Sequence, residues 1–137
     1  MDNSTQSLKG LANISLAAMG VLMVLAVVYY KERVLFADAA YFFFHIVNDK
    51  RLCIQEGRYG SFITQGLPYL AARLHLPLGA AVMAFGVSFN LFFFAVNATL
   101  IFVLKQYRLA ILMALYYFLF FSESFIWVSE IPQGVAW

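Results

Sequence analysis

The stretch LANISLAAMGVLMVLAVVYY, residues 11–30, decides the fold class of this chain, because twenty consecutive residues carry no charge. At about 1.5 Å per residue, a helix of this length covers about 30 Å, which matches the hydrocarbon core of a bilayer. The run exceeds the roughly 7–15 apolar residues of a signal peptide, and Tyr29 and Tyr30 close it where interfacial aromatic residues are expected. The stretch predicts a retained membrane-spanning helix.

Two further apolar runs follow this first one. No charged residue occurs between Arg73 and Lys105, and the next run contains Glu123 as its single charged residue. The sequence therefore predicts an all-α membrane protein with three transmembrane helices and an interfacial helical segment between the first and the second. The predicted ranges are about 11–30, 78–104 and 109–128 for the spans and 31–77 for the membrane-edge segment.

Composition agrees with a chain that faces lipid over much of its surface. Hydrophobic residues make up 64% of the 137 residues and charged residues 12%, against about 45–50% and about 25% in soluble domains. This length predicts a single membrane domain over residues 1–137. The net charge of +2 without a basic run gives no indication of a nucleic acid partner. The single cysteine, Cys53, excludes an internal disulfide.

Charge counts bear on the orientation of the three predicted spans. The first side would carry Lys9, Lys105 and Arg108, whereas the membrane-edge segment carries six basic residues. The positive-inside rule taken alone places that segment in the cytoplasm.

The membrane-edge segment opens with VLFADAAYFFFHIVN, residues 34–48, which predicts an interfacial helix. Spacings of four, three and four place Asp38, Phe42, His45 and Asp49 on one face. A carboxylate held there can act as a general base, or it can bind a metal ion together with His45. The same residues also fit the wet face of an amphipathic helix, so all three interpretations stay open.

The rest of the segment predicts interrupted structure before the second span. Residues 57–60 read GRYG, which is typical of a turn. The apolar stretch after it is expected to break at Gly66 and Pro68, and Pro77 with Gly79 marks the expected start of the second span.

Polar residues inside the predicted spans are few. Gly86, Asn90 and Asn97 lie on one stripe of the second span, which predicts close contacts and hydrogen bonds to neighbouring helices, or else a polar groove for a ligand headgroup. Glu123 is costly at membrane depth, by about 2.5–3.5 kcal/mol at a helix centre. With Glu130 it forms an acidic strip that the three-span topology brings to the same membrane face as Asp38.

The order of these features resembles the amino-terminal part of GT-C glycosyltransferases, membrane enzymes that use lipid-linked sugars. The match consists of Tyr29 and Tyr30 at the end of the first span, the sequence FADAAY at 36–41 directly after it, and the loop up to Pro68. The resemblance implies that Asp38 is the catalytic base and that its segment faces away from the cytoplasm, against the charge count. Ala39 stands where the family often has a second acidic residue, so no metal cofactor is expected.

The leading hypothesis is therefore a fragment or subunit of a glycosyltransferase in a plasma or bacterial inner membrane. A polyprenyl-phosphate sugar would be the donor, Arg58 would pair with its phosphate, and Glu123 would contribute to substrate binding. Because an apolar run restarts at 135–137 after a turn, further transmembrane helices are expected from a longer chain or a partner subunit. The alternatives are a non-catalytic membrane scaffold and a transporter component with Glu123 as an ion relay.

Overall fold

The computed structural model describes residues 3–35, 37–54 and 61–119, and every regular element in these ranges is an α-helix. Six helices follow one another within them. Their bounds are α1 Asn3–Val28, α2 Tyr30–Val34, α3 Ala37–Asp49, α4 Phe62–Arg73, α5 Leu78–Phe102 and α6 Tyr107–Leu119. The all-helical character that the sequence predicts is confirmed for this part of the chain.

Two of the described helices are long and apolar enough to cross a membrane. They cover Thr5–Val28 and Leu78–Phe102, and their apolar 18-residue windows have mean hydropathies of 2.4 and 1.9. The third predicted span contains α6, which is shorter over its described residues, and the rest of that span, 120–128, lies outside them. The first two predicted spans thus have the required length, and the third stays a prediction.

Helix α5 is the centre of the bundle, because α1, α2, α4 and α6 all pack against it. Its buried phenylalanines divide the core into layers. Phe85 packs with Phe43 and Ile46 of α3, whereas Phe89 and Phe93 pack with Met19 of α1 and with Tyr117 of α6. A third layer lies near the other end of α5 and joins Leu16, Ile101 and Ala110.

The end of the first span differs in detail from the prediction. Helix α1 ends at Val28, and Tyr29 has backbone angles of φ −101° and ψ 28°, which break the helix for one residue before α2 begins. The expected helix at 34–48 begins later, at Ala37, and ends at Asp49. The turn between α1 and α2 lets Arg33 and Val34 face the protein interior.

The predicted break at Gly66 and Pro68 is wrong, since α4 runs through both residues. A proline inside a helix removes the N–H that would bind the carbonyl four residues earlier, here that of Thr64. Ser88 of α5 supplies a replacement, because its hydroxyl donates to the Thr64 carbonyl over 2.8 Å. A donor from a helix far along the chain therefore offsets the loss.

The predicted start of the second span is confirmed. Pro77 occupies the N-cap position of α5 with extended backbone angles, and Leu78 is the first helical residue. Proline has no backbone N–H to donate in a hydrogen bond. At the start of a helix this N–H would have no acceptor within the helix, so its absence costs nothing. The start of α5 lies beside α2 and α3, and α2 follows the end of α1 after one residue.

Candidate functional site

The carboxylate of Asp49 at the end of α3 is held by three donors. His45 Nδ1 lies 3.0 Å from Asp49 Oδ2, and Asn48 Nδ2 donates to Asp49 Oδ1 over 2.8 Å. Arg51 Nη2 lies 3.2 Å from Asp49 Oδ2. The contact between His45 and Asp49 is the pairing that their spacing of four residues predicts.

These contacts lower the pKa of Asp49 below its model-peptide value of 3.8, with the hydrogen bonds from His45 and Asn48 as the first causes. Asp49 is therefore ionised at neutral pH. Because the pKa of Asp49 is lower in the folded than in the unfolded protein, the ionised carboxylate stabilises the fold at pH values above the pKa of the unfolded state. That contribution is lost as the pH falls through the folded pKa.

Replacing His45 with alanine is expected to raise the pKa of Asp49 towards 3.8, because the first cause of the depression is removed. The measurement is a carboxyl carbon NMR titration of the labelled protein in detergent micelles. An Asn48→Ala variant should give a smaller rise in the same direction. An unchanged Asp49 pKa in His45→Ala would contradict the contact.

The residues that the structure describes contain no group of three or more His, Cys, Asp or Glu side chains that could hold a metal ion. His45 and Asp49 form a hydrogen-bonded pair without a third described ligand. Two ligands are fewer than structural or catalytic metal sites in proteins use. Metal binding by His45 thus has no further support in this part of the chain.

Asp38 lies in the first turn of α3, and the structure describes its backbone but not its side chain. At 100° per residue, its register position shares a face with Phe42 and His45. The opposite face carries Ala40, Phe43, Phe44 and Val47, which line a groove. The register position of Asp38 is therefore on the opposite side of α3 from these groove-lining residues.

The groove has a volume of about 920 Å³ and lies between α2, α3 and the start of α5. Among the described residues its lining is mostly apolar, and Lys31 is the one charged side chain in it. The described lining consists of Tyr30, Lys31, Val34, Leu35, Ala40, Phe43, Phe44, Val47, Asn48, Leu78, Gly79 and Val82. The sequence does not reveal this groove, because its walls come from separate parts of the chain.

Arg33 is a second feature that the sequence did not reveal. In the charge count it was one basic residue of the membrane-edge segment, yet only 3% of its surface is exposed. Burial lowers the pKa of Arg33 to about 10, and the side chain interacts electrostatically with Tyr117 of α6. Arg33 is still protonated at neutral pH. Nothing in the residues around Arg33 predicts its burial.

The stripe of small and amide residues on α5 joins three neighbouring helices. The Tyr117 hydroxyl of α6 donates to Asn90 Oδ1, and Asn97 Nδ2 lies 3.0 Å from Met19 Sδ of α1. A Cβ at Gly86 would lie 3.1 Å from the backbone oxygen of Tyr30 in α2. The predicted helix-joining role of the stripe is confirmed. Within the described ranges, Asn90 Nδ2 and Asn97 Oδ1 have no hydrogen-bond partner.

Replacing Tyr117 with phenylalanine is expected to destabilise the bundle, because it removes the donor to a buried Asn90 oxygen. Interhelical hydrogen bonds at membrane depth contribute roughly 0.6–1.7 kcal/mol, so a loss in that range is expected. Reversible unfolding in mixed micelles measures it. Tyr107→Phe on the same helix is the matched control and should unfold like the wild type. Equal stabilities of the two variants would contradict the assigned bond.

The two predicted substrate-binding residues, Arg58 and Glu123, lie outside the described residues, as does the GRYG turn. No protein-family model, curated protein or solved structure gives a significant match to the chain. The fold and its geometry define a helical protein with two helices of membrane-crossing length and an apolar groove between α2, α3 and the start of α5.

Proposed function

We propose that this chain is a component of an integral, multi-pass membrane glycosyltransferase that uses a polyprenyl-phosphate sugar as donor. The three predicted spans hold α3 at one face of the membrane, with Asp38 as the general base. The proposal includes further transmembrane helices, from a longer chain or from a partner subunit, around this component. It follows from the resemblance described above together with the geometry of α1, α2 and α3.

The observation that carries the proposal is the place of Asp38 in the fold. Helix α1, of membrane-crossing length, ends at Val28, and α3 begins at Ala37 with Asp38 in its first turn. The buried side chains of Phe43 and Ile46 pack α3 against α5 near the start of α5, which is the second long helix. A carboxylate at this level is within reach of both water and the headgroup region, where a lipid-linked sugar and a soluble acceptor meet.

The reaction assigns one task to each proposed residue. Asp38 takes the proton of the acceptor hydroxyl while that oxygen bonds to the anomeric carbon of the sugar. The bond from this carbon to the phosphate oxygen breaks, and the polyprenyl phosphate leaves with the electron pair. Arg58 pairs with the phosphate as its negative charge grows, and Glu123 binds the sugar.

The test is sugar transfer by the protein in vesicles, with all its native partners present. Membranes that contain it receive a polyprenyl-phosphate donor with a radiolabelled sugar, and release of polyprenyl phosphate is followed in parallel. The proposal expects label in an acceptor and an equal amount of free polyprenyl phosphate. If deletion of the protein left the amounts of both products unchanged, the proposal would be contradicted.

A non-catalytic membrane subunit is the second candidate, and the exposure of α1 favours it. Only 17% of the most apolar window of this helix is buried, and large residues such as Ile14, Val21 and Val24 are exposed. Such a surface fits partner helices as well as lipid. Co-purification with a larger membrane protein, combined with full transfer activity in Asp38→Asn, would select this function over the enzyme.

A further inference from the structure

The groove between α2, α3 and α5 combines an apolar wall with one charged side chain, Lys31, among its described residues. Lys31 Nζ lies 5.8 Å from the centre of the Tyr30 ring. In the part of the chain that the structure describes, no carboxylate forms a salt bridge with Lys31. Among the described residues, the charge of Lys31 at the groove therefore has no carboxylate partner.

The position of the groove relates it to the membrane surface. Lys31 comes three residues after the end of α1, while Leu78 and Gly79 open α5. The groove therefore lies beside the first turns of α5 and the short helix that follows α1. Val82 lines it about one helical turn after Leu78. A molecule that fills the groove would contact apolar side chains of α3 and α5 and would come within reach of Lys31.

We propose that the groove binds one anionic phospholipid of the surrounding bilayer, with its acyl chain against Phe43, Phe44 and Val82. Lys31 pairs with the phosphate. Basic residues beside transmembrane helices recognise anionic headgroups in this way. The volume of about 920 Å³ lies within the roughly 300–1,000 Å³ of small-molecule sites. This inference rests on the membrane location in the proposed function and not on the transfer reaction.

A leucine at Gly79 tests the apolar part of the site. A Cβ at Gly79 would meet no atom within 4 Å, so the larger side chain enters open groove space rather than the core. Gly10 is equally open, lies in α1 and does not line the groove, which makes Gly10→Leu the matched control. Both substitutions also raise helix propensity to a similar extent.

The measurement is native mass spectrometry of the full chain in detergent, titrated with phosphatidylglycerol. The wild type and Gly10→Leu are expected to bind about one lipid per chain with equal affinity, and Gly79→Leu to bind at least about tenfold more weakly, a difference of about 1.4 kcal/mol. Equal affinity of Gly79→Leu and the wild type would overturn the proposal. So would a dimer that Gly79→Leu dissociates, since the occupant would then be a second copy of the chain.

Substitution of the lysine tests the charged part. Lys31→Gln is expected to abolish the preference for phosphatidylglycerol over zwitterionic phosphatidylcholine, whereas Lys31→Arg retains it. Lys9→Gln, near the opposite end of α1, is the control and should leave the preference unchanged. A wild type without any preference, or with a preference for polyprenyl phosphate over phosphatidylglycerol, would overturn the assignment.

The two proposals fail in separable ways. A wild type that transfers sugar but retains no phosphatidylglycerol would remove the lipid site alone. A protein that retains the lipid in a Lys31-dependent manner but transfers no sugar would remove the enzymatic function alone.

Discussion

Replacing Asp38 with asparagine is expected to lower the rate of sugar transfer by about 10²–10⁴-fold, the usual contribution of a general base. Asparagine has nearly the same shape but cannot take the proton of the acceptor hydroxyl. The effect should fall on kcat, with a smaller change in the KM for the lipid-linked donor. Initial rates in vesicles with equal amounts of folded protein measure it.

Asp49→Asn is the matched control for this experiment. Asp38 and Asp49 occupy register positions on the same face of α3. The Asp49 carboxylate already has His45 and Asn48 as hydrogen-bond partners. We therefore expect Asp49→Asn to transfer sugar at the wild-type rate. Wild-type rates in Asp38→Asn would end the assignment of the base, and equal losses in both variants would indicate a general effect of acidic charge.

Replacing Gly86 with leucine is expected to have the largest effect on stability, a loss of roughly 2–3 kcal/mol. A Cβ at this position would lie 3.1 Å from the Tyr30 carbonyl oxygen and 3.3 Å from its Cα. Both atoms belong to the backbone, so they cannot rotate away, and α2 must separate from α5. The gain of about 1 kcal/mol in helix propensity is too small to offset this.

Unfolding by denaturant in mixed micelles, followed by circular dichroism, measures the Gly86→Leu effect. Gly10→Leu is again the control, because a side chain there meets open space. Its stability should equal or slightly exceed that of the wild type. If Gly86→Leu were as stable as Gly10→Leu, the close approach of α2 to α5 would be wrong.

The long helices were predictable because their signal is local. An uninterrupted apolar run of about twenty residues gives the length of a span without any knowledge of its neighbours. The start of α5 at Leu78 was predictable for the same reason, since Pro77 acts on the residues beside it. The contact of His45 with Asp49 follows from helix geometry alone.

The missed features depend on contacts between distant parts of the chain. Nothing within α4 reveals that Ser88 supplies the hydrogen bond that lets the helix continue through Pro68. Arg33 is charged and close to the end of a span, which is typical of an exposed residue, yet the turn at Tyr29 directs it inward. The groove was not predictable either, because α2, α3 and α5 each supply only part of its wall.

The candidate site was predictable in part. The sequence predicts a helix that contains Asp38, and α3 is that helix. The sequence does not predict that the register position of Asp38 is opposite the groove, because this depends on which face of α3 packs against α5. The amide stripe of α5 was found from spacing, whereas the identity of its partners, Tyr117 and Met19, required the fold.

Labelling of single cysteines in sealed vesicles tests the central claim, that α1 and α5 cross the membrane and place α3 at one face. Cys53→Ser provides the background, since Gln65 binds the backbone rather than the thiol at that position. Exposed Lys9, Lys50 and Lys105 are each replaced by cysteine and treated with a membrane-impermeant maleimide. Positions 9 and 105 should react from one side and position 50 from the other. Reaction of positions 9 and 50 from the same side would contradict the crossing by α1 and, with it, the proposed function.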